Sequence, residues 1–358
     1  MCPQGGRTAS VLSIGLRVWL CLFYAEQVIA TTRVVRNDED THRKSLRLLP
    51  ELVVGSEDGD ETQILGRVWG VGVSSTLDIY ILDKSFNHVR QFDSLGVYQR
   101  TIGRSGEGPG ELAYPFAITV DRRDRLYVAD RSKIVIFDHD GKYLGQFPHK
   151  MLSSVIRSIK VDAGGNVFVS CFDVFERLII HKFNDKGIHV ASFCDSYAAG
   201  QDVDVRIERT LAGGAIDIDD QGLIVFTQMT PYEIRTFSAD GSPVMTIQRA
   251  NQFGSPDVGI TEGGLRVGPV TGSFSIVCLG NGMLLNVVKN VVKSSTASSD
   301  DDRDSETILD LFDRDGILVA TRRLTNTITP KCADRYGRLY AIDEEDFPRV
   351  VRYRVVVE

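Results

Sequence analysis

The chain has 358 residues, which is enough for two average domains or for one large all-β domain. Hydrophobic residues make up 42% of it and charged residues 25%, which is ordinary globular composition. The formal net charge of −7 and the pI of about 5.5 argue against a nucleic-acid-binding surface.

Residues 1–30 have the pattern of an export signal. Arg7 and Arg17 precede the apolar run 18–24, and Ala30 ends a Val-Ile-Ala tripeptide suited to cleavage. The run is too short and too interrupted for a membrane-spanning helix. We therefore predict a secreted protein, periplasmic or extracellular, with a lipid anchor at Cys21 or an uncleaved N-terminal anchor as the alternative.

The segment after the signal has no repeat around it. Residues 31–45 are polar and charged over much of their length and are predicted to be a linker. Residues 46–54 have the composition of a single strand.

An internal repeat organises the rest of the chain. Its best copy, residues 103–147, opens with a glycine-rich turn and continues with four strand-like runs, which Asp- and Gly-rich turns separate. In each copy an aromatic residue ends the third strand, and the following turn ends in glycine in the first five copies. These aromatic residues are Phe92, Phe137, Phe183, Phe237, Phe312 and, in the sixth copy, Tyr353.

The sixth copy ends before a fourth strand can form, whereas a spare strand at 46–54 precedes the first copy. A ring in which the spare strand completes the last blade accounts for both facts and removes an open sheet edge. The sequence therefore predicts an all-β, six-bladed β-propeller of four-stranded antiparallel blades over residues 46–358.

The second copy also carries a family resemblance. Residues 103–112 (GRSGEGPGEL), followed by Pro115, Asp121, the LYVAD segment 126–130 and the FDHDG segment 137–141, resemble the NHL repeat. The segment is especially similar to that of bacterial secreted propellers with a GRxGxGPGE sequence. Because NHL-like propellers include binding scaffolds and a few enzymes, the resemblance implies the fold and not an activity.

The connections differ between the two faces of the predicted ring. The turns joining first to second and third to fourth strands are tight, and the face that carries them is called the tight-turn face. All long insertions fall on the opposite, long-loop face. Because loops on a rigid scaffold usually carry recognition, this face and the mouth of the central channel are the predicted binding site, with tolerated loop variation as the alternative. The insertions are residues 103–115, 196–214, 249–272 and 289–305.

Charged and aromatic side chains on the long-loop face are the candidate binding residues. For Arg104 and Glu107 a local ion pair is the alternative, and for the aromatic residues it is packing of a loop against its blade. The candidates are Arg104, Glu107, Asp130, Arg131, Phe175, Arg177, Tyr232 and Asp343.

A metal-dependent lyase or lactonase, with Ca or Zn at the central channel, is the alternative function. No predicted inner strand contains a histidine, and most inner-strand aspartates lie at turns where Asp has a structural role. The glycine-rich loop lacks the Lys-Ser/Thr of a phosphate loop, and the acidic run 300–304 is predicted to be a solvated extension, with weak cation binding as its alternative. We predict no catalytic residue, metal ligand or cofactor, with calcium as the alternative.

The predicted protein is thus an exported binding or scaffold module. We expect its ligand to be a protein, peptide or carbohydrate and the propeller to be monomeric. We expect no nucleic-acid partner and no membrane contact beyond an N-terminal anchor.

The four cysteines that remain after signal cleavage are predicted to be small buried hydrophobic residues. Cys278 and Cys332 fall at neighbouring positions of two inner strands, where successive side chains point to opposite faces. No disulfide is therefore expected between them. The other two are Cys171 and Cys194.

Overall fold

The computed structural model describes residues 32–38, 44–149, 155–198, 202–249, 258–261, 264–267, 271–291, 305–325 and 328–358. The predicted signal at 1–30 and the acidic run 300–304 lie outside these ranges, as do parts of the linker and of the long insertions. In the described ranges no helix is long and apolar enough to cross a membrane.

The described strands form the six predicted blades, which follow one another along the chain. The N-terminal segment contributes β1 (Arg33–Asn37) and β2 (Leu46–Val54). Blade 1 comprises β3 (Val68–Val73), β4 (Ile79–Asp83), β5 (His88–Phe92) and β6 (Tyr98–Ile102). Blade 2 comprises β7 (Ala117–Val120), β8 (Leu126–Ala129), β9 (Lys133–Phe137) and β10 (Tyr143–Pro148). Blade 3 comprises β11 (Ser158–Val161), β12 (Val167–Ser170), β13 (Leu178–Phe183) and β14 (His189–Asp195).

A short helix, α1 (Val205–Leu211), lies in the connection from blade 3 to blade 4. Blade 4 comprises β15 (Gly214–Ile218), β16 (Ile224–Gln228), β17 (Glu233–Phe237) and β18 (Pro243–Arg249). A hairpin of β19 (Val258–Thr261) and β20 (Gly264–Val267) follows. Blade 5 comprises β21 (Gly272–Cys278), β22 (Leu284–Val291), β23 (Ser305–Phe312) and β24 (Leu318–Leu324). Blade 6 comprises β25 (Ile328–Ala333), β26 (Leu339–Asp343), β27 (Arg349–Val357) and, as its outer strand, β2.

The repeat is visible in the register of the blades. In all six, the aromatic residue of the third strand pairs with the first residue of the second strand. The pairs are Phe92–Ile79, Phe137–Leu126, Phe183–Val167, Phe237–Ile224, Phe312–Leu284 and Tyr353–Leu339. The six copies inferred from the sequence are therefore six equivalent structural units.

The ring closes as predicted. β2 pairs antiparallel with β27 from Leu46–Val357 to Val54–Val350, and the backbones of Ser45 and Glu358 exchange two further hydrogen bonds of 2.8 and 3.1 Å. The inner strands β3, β7, β11, β15, β21 and β25 each contact the next around the central channel, and β25 contacts β3.

The N-terminal segment does more than close blade 6. β1 pairs in parallel with β18 at the outer edge of blade 4, and Lys44 forms a bridge with Ala320 of blade 5. Residues 33–38 and 44–54, the N-terminal strap, therefore lie along the outer edges of three blades. Part of the predicted linker 31–45 is thus a strand, β1, that is attached to the blades. Val35 packs into the core between blades 4 and 5, and buried Asn37 donates a 2.9 Å hydrogen bond to the Gly316 carbonyl.

Candidate binding site at the channel mouth

Three inner strands carry a β-bulge near the end that lies on the long-loop face. The pairing register skips one residue in β3, β21 and β25, and the extra residues are Trp69, Phe274 and Lys331. A bulge bends its strand and re-aims the side chain of the extra residue. All three side chains line one cavity, of about 300 Å³. We call it the channel-mouth cavity.

The channel-mouth cavity is built by strand ends and connections on the long-loop face of the ring. Blades 1, 4, 5 and 6 contribute, and the connection from blade 2 to blade 3 supplies Val155, Ile156 and Arg157. The lining residues are Arg67, Val68, Trp69, Val155, Ile156, Arg157, Gly214, Met229, Ser273, Phe274, Lys289, Thr329, Lys331, Ile342 and Glu344.

The lining carries an excess of positive charge in a protein whose net charge is negative. In the described part of the lining, Arg67, Arg157, Lys289 and Lys331 face one carboxylate, Glu344. Among the described residues, the side chains of Lys289 and Lys331 have neither a hydrogen bond nor an ion pair. The cavity therefore presents two ammonium groups whose hydrogen-bond donors are not used by the described residues.

Burial lowers the pKa of both lysines. It lowers the pKa of Lys331 to about 8, and the positive charge of Lys289 acts in the same direction while Glu344 opposes it. Burial also lowers the pKa of Lys289, against the attraction of Glu344. A charged amine in a poorly solvated site is stabilised by an opposite charge, so an anion in this cavity would favour the protonated form of both.

At one wall of the cavity, two cationic side chains contact the aromatic ring of Trp69. The Lys84 ammonium lies 3.9 Å from the centroid of a Trp69 ring, and the Arg67 guanidinium carbon lies 4.7 Å from it. Burial and the neighbouring Arg67 charge lower the pKa of Lys84. These cation–π contacts hold the indole in place beside the cationic lining.

A second cavity, of about 360 Å³, adjoins the first and is called the side cavity. Blade 3 and α1 form most of its wall. Val155, Arg157 and Gly214 line both cavities. The side cavity is otherwise lined by Cys171, Phe172, Ile179, Arg209, Thr210, Ala212 and Gly213.

The eight residues predicted from the sequence lie elsewhere, and none belongs to the described lining of either cavity. Three of them are buried and structural. The Asp130 carboxylate, 1% exposed, accepts a 2.9 Å hydrogen bond from the Ala113 amide and a second one from the Tyr114 amide. Asp343 forms an ion pair of 3.0 Å with Arg349.

Tyr232 corrects the prediction of an exposed rim aromatic. Its side chain belongs to the core between blades 4 and 5, and its hydroxyl donates a 3.0 Å hydrogen bond to the Asp310 carboxylate. The alternative interpretation, packing of loop against blade, therefore holds for Tyr232.

The remaining five predicted residues are at the surface or in local contacts. Arg104 forms an ion pair of 2.7 Å with Glu111, and the backbone carbonyl of Glu107 accepts a 3.0 Å hydrogen bond from the Lys133 ammonium. Arg131 lies 5.6 Å from the ring centroid of Tyr114, Arg177 pairs with Glu208 at 3.3 Å, and Phe175 is 87% exposed. Four of the five therefore make local contacts, and Phe175 lies at the surface.

The cysteines of the described ranges are buried or half-buried. These four are free; Cys278 packs against the core between blades 4 and 5, whereas Cys332 packs between blades 6 and 1. The two residues therefore lie in different core clusters. Within the described ranges, no group of three or more His, Cys, Asp or Glu residues is placed to hold a metal ion.

Comparison with known proteins supports the fold. A family model described as a 6-bladed beta-propeller matches residues 64–177. Protein lin-41 of Caenorhabditis elegans is 48% identical over 48 residues, which cover 13% of this chain and only 4% of that protein. The chain is a six-bladed β-propeller.

Solved structures resemble almost the whole ring. A member of the DUF4221 family from Bacteroides vulgatus has a TM-score of 0.58 at 8% identity, covering 87% of this chain and 99% of that chain. An exported-protein candidate from Bacteroides fragilis has a TM-score of 0.58 at 12% identity, covering 91% and 100%. A streptogramin B lyase has a TM-score of 0.50 at 10% identity, covering 87% and 98%. Identities this low show likeness of fold alone.

Proposed function

We propose that the protein is an exported binding module that holds a small anionic ligand in the channel-mouth cavity on its long-loop face. The observation that supports this most directly is a pair of partly buried lysines, Lys289 and Lys331, that have no hydrogen-bond or ion-pair partner in the described part of the chain. Desolvating a charge without pairing it costs free energy. An anionic ligand would recover that cost by accepting hydrogen bonds from both ammonium groups. Export rests on the signal-like pattern of residues 1–30.

The sequence predicts a protein, peptide or carbohydrate ligand. The chemistry of the cavity supports a narrower class of ligand. Carboxylate and phosphate oxygens accept charge-assisted hydrogen bonds from Lys and Arg, which are stronger than those between neutral groups. Trp69 and Phe274 add apolar surface beside these donors. A small molecule, or the end of a larger one, with a carboxylate or phosphate group fits this combination.

The alternative function, a metal-dependent lyase or lactonase, has less support. Its metal would need His or carboxylate ligands from several inner strands, and the described residues do not bring such a set together. The likeness to a streptogramin B lyase concerns the fold, since the two chains are 10% identical.

Neutralising the two lysines should remove most of the binding energy for an anion. We expect Lys331→Gln and Lys289→Gln each to weaken the binding of citrate. Because a hydrogen bond to a charged group contributes about 1.5–3 kcal/mol, each change should cost roughly tenfold to 150-fold in affinity. The measurement is isothermal titration calorimetry of the full chain with citrate and with inorganic phosphate at low salt.

The matched control is Lys186→Gln, an exposed lysine in the turn between β13 and β14 on the tight-turn face. This change alters the net charge by the same amount and should leave citrate affinity unchanged. Failure of both anions to bind, or equal affinity in the wild type and the cavity variants, would contradict the proposal.

Binding should also depend on pH in a direction set by Lys331. With its pKa at about 8, Lys331 is charged below that pH and neutral above it. Affinity for sulfate, whose charge is constant in this range, should therefore be highest below pH 8 and fall as pH rises through 8. The Lys331→Gln variant should lose this dependence; a wild-type affinity that rises with pH would show that Lys331 is not the group responsible.

The lowered pKa of Lys331 also affects the stability of the free protein. In the unfolded chain Lys331 has the ordinary lysine pKa of 10.5, so between about pH 8 and 10.5 the unfolded state binds more protons than the folded state. The contribution of Lys331 to the free energy of unfolding should thus rise with pH across that window. Bound sulfate, by favouring the charged lysine, should stabilise the protein more at pH 7 than at pH 10.

A further inference from the structure

We propose that the channel-mouth cavity and the side cavity form one composite site for an amphipathic anion, with the charged head at Lys289 and Lys331 and an apolar chain or ring in the side cavity. This inference rests on the proposed function and deepens it, because it names the class of ligand.

The two cavities meet at Arg157. This residue lines both of them, as do its neighbour Val155 and Gly214 across the junction. A Cβ atom on Gly213 would lie 3.3 Å from Arg157 Nε, so the guanidinium packs closely against a residue without a side chain. The two cavities are therefore adjacent, with the Arg157 cation at their junction, and the proposed ligand lies across that junction.

The far part of the side cavity is apolar. Phe172, Ile179 and Ala212 are each at most 4% exposed, and Cys171 lies beside them. Such a lining gives little hydrogen bonding to a polar ligand, whereas removing apolar surface from water is favourable by roughly 25 cal/mol per Å². The charged lining thus selects the head group, and the apolar lining favours a hydrophobic extension.

A fixed helix forms one wall of the side cavity. Arg209 and Thr210 of α1 face it, and α1 is attached to blade 3 through the fully buried carboxylate of Glu208. That carboxylate accepts a hydrogen bond from the Ser196 hydroxyl and pairs with Arg177 at 3.3 Å. The wall is therefore held in place without a ligand. Each cavity falls at the lower end of the range of about 300–1,000 Å³ that is typical of ligand sites.

The test is the dependence of affinity on chain length. Acetate, butanoate and octanoate are titrated into the full chain near neutral pH, with citrate as a reference for the head-group site and octanol as the uncharged analogue. Binding is followed by calorimetry and by the fluorescence of Trp69, for which Trp69→Phe supplies the background. We expect octanoate to bind far more tightly than acetate, by about fourfold for each methylene that enters the side cavity.

Two substitutions on α1 test the contribution of the side cavity separately from that of the channel-mouth cavity. Thr210→Trp places a large side chain at the side cavity and should abolish the gain from acetate to octanoate while leaving citrate binding intact. Arg206→Trp, on an exposed residue of the same helix that does not belong to the described lining, should leave the gain unchanged. The melting temperature of each variant checks that the fold is retained.

The outcomes distinguish the composite site from the proposed function. If citrate binds but octanoate binds no more tightly than acetate, or if Thr210→Trp leaves the chain-length gain intact, the composite site is wrong and the anion site remains. If neither citrate nor any carboxylate binds, the proposed function itself is wrong. Octanol binding as tightly as octanoate would overturn the placement of a charged head at the two lysines.

Discussion

Deleting residues 31–55 should open the propeller ring and leave a chain that aggregates. The deletion removes β1 and β2, and with β2 the buried side chains of Leu46, Leu48 and Val54. It also leaves the nine-residue strand β27 as an unpaired edge, which is a template for pairing between chains. The loss should approach the whole folding free energy of a typical domain, about 5–15 kcal/mol. Size-exclusion chromatography and thermal melting measure it.

A shorter deletion provides the control. Removing residues 31–38 takes away β1 but leaves β2 paired with β27, so the ring stays closed. We expect this variant to remain monomeric, with a smaller fall in melting temperature from the loss of Val35 and Asn37. If the variant without residues 31–55 is monomeric and melts like the wild type, β2 has no role in closing the ring.

Replacing Asp310 with alanine should destabilise the fold by about 3–5 kcal/mol. Asp310 is fully buried in blade 5 and forms an ion pair with Arg249 of blade 4. It also accepts hydrogen bonds from the hydroxyls of Tyr232 at 3.0 Å and Thr321 at 2.7 Å. The substitution would leave the Arg249 charge buried and uncompensated, which is the costly part of breaking such a pair. Urea denaturation followed by circular dichroism measures the change.

Asp315→Ala is the matched control for this prediction. Asp315 also pairs with an arginine, Arg33, at 3.0 Å, but the two side chains are 70% and 56% exposed. An exposed pair contributes about 0–1 kcal/mol, so this variant should denature almost like the wild type. Equal effects of the two substitutions would show that Asp310 does not hold blades 4 and 5 together.

The ring could be predicted from the sequence because each blade repeats the same local chemistry. In the first five blades an aromatic residue ends the third strand and an Asx- and glycine-rich turn follows it, and both features depend on neighbouring residues only. Closure could be predicted because the sixth copy lacks a strand. β1 could not, because a fifth, parallel strand has no counterpart in the other blades to which it could be aligned.

The channel mouth was predicted as the binding site, but the residues that line its cavity were not. Trp69, Phe274 and Lys331 reach the channel mouth through bulges, and a one-residue shift in register cannot be read from alternation alone. One signal was present: Lys289 and Lys331 interrupt strand segments that are otherwise largely apolar. Tyr232 was misplaced because its buried partner Asp310 lies 78 residues away in the sequence.

The N-terminal strap also imposes an order on biosynthesis. β2 is translated about 300 residues before its partner β27. At about 5–20 residues per second, roughly fifteen seconds to a minute separate the two. During that time the nascent chain carries a strand without its partner, and blade 6 can close only after β27 has left the ribosome. Ring closure therefore joins two strands of different age on the nascent chain.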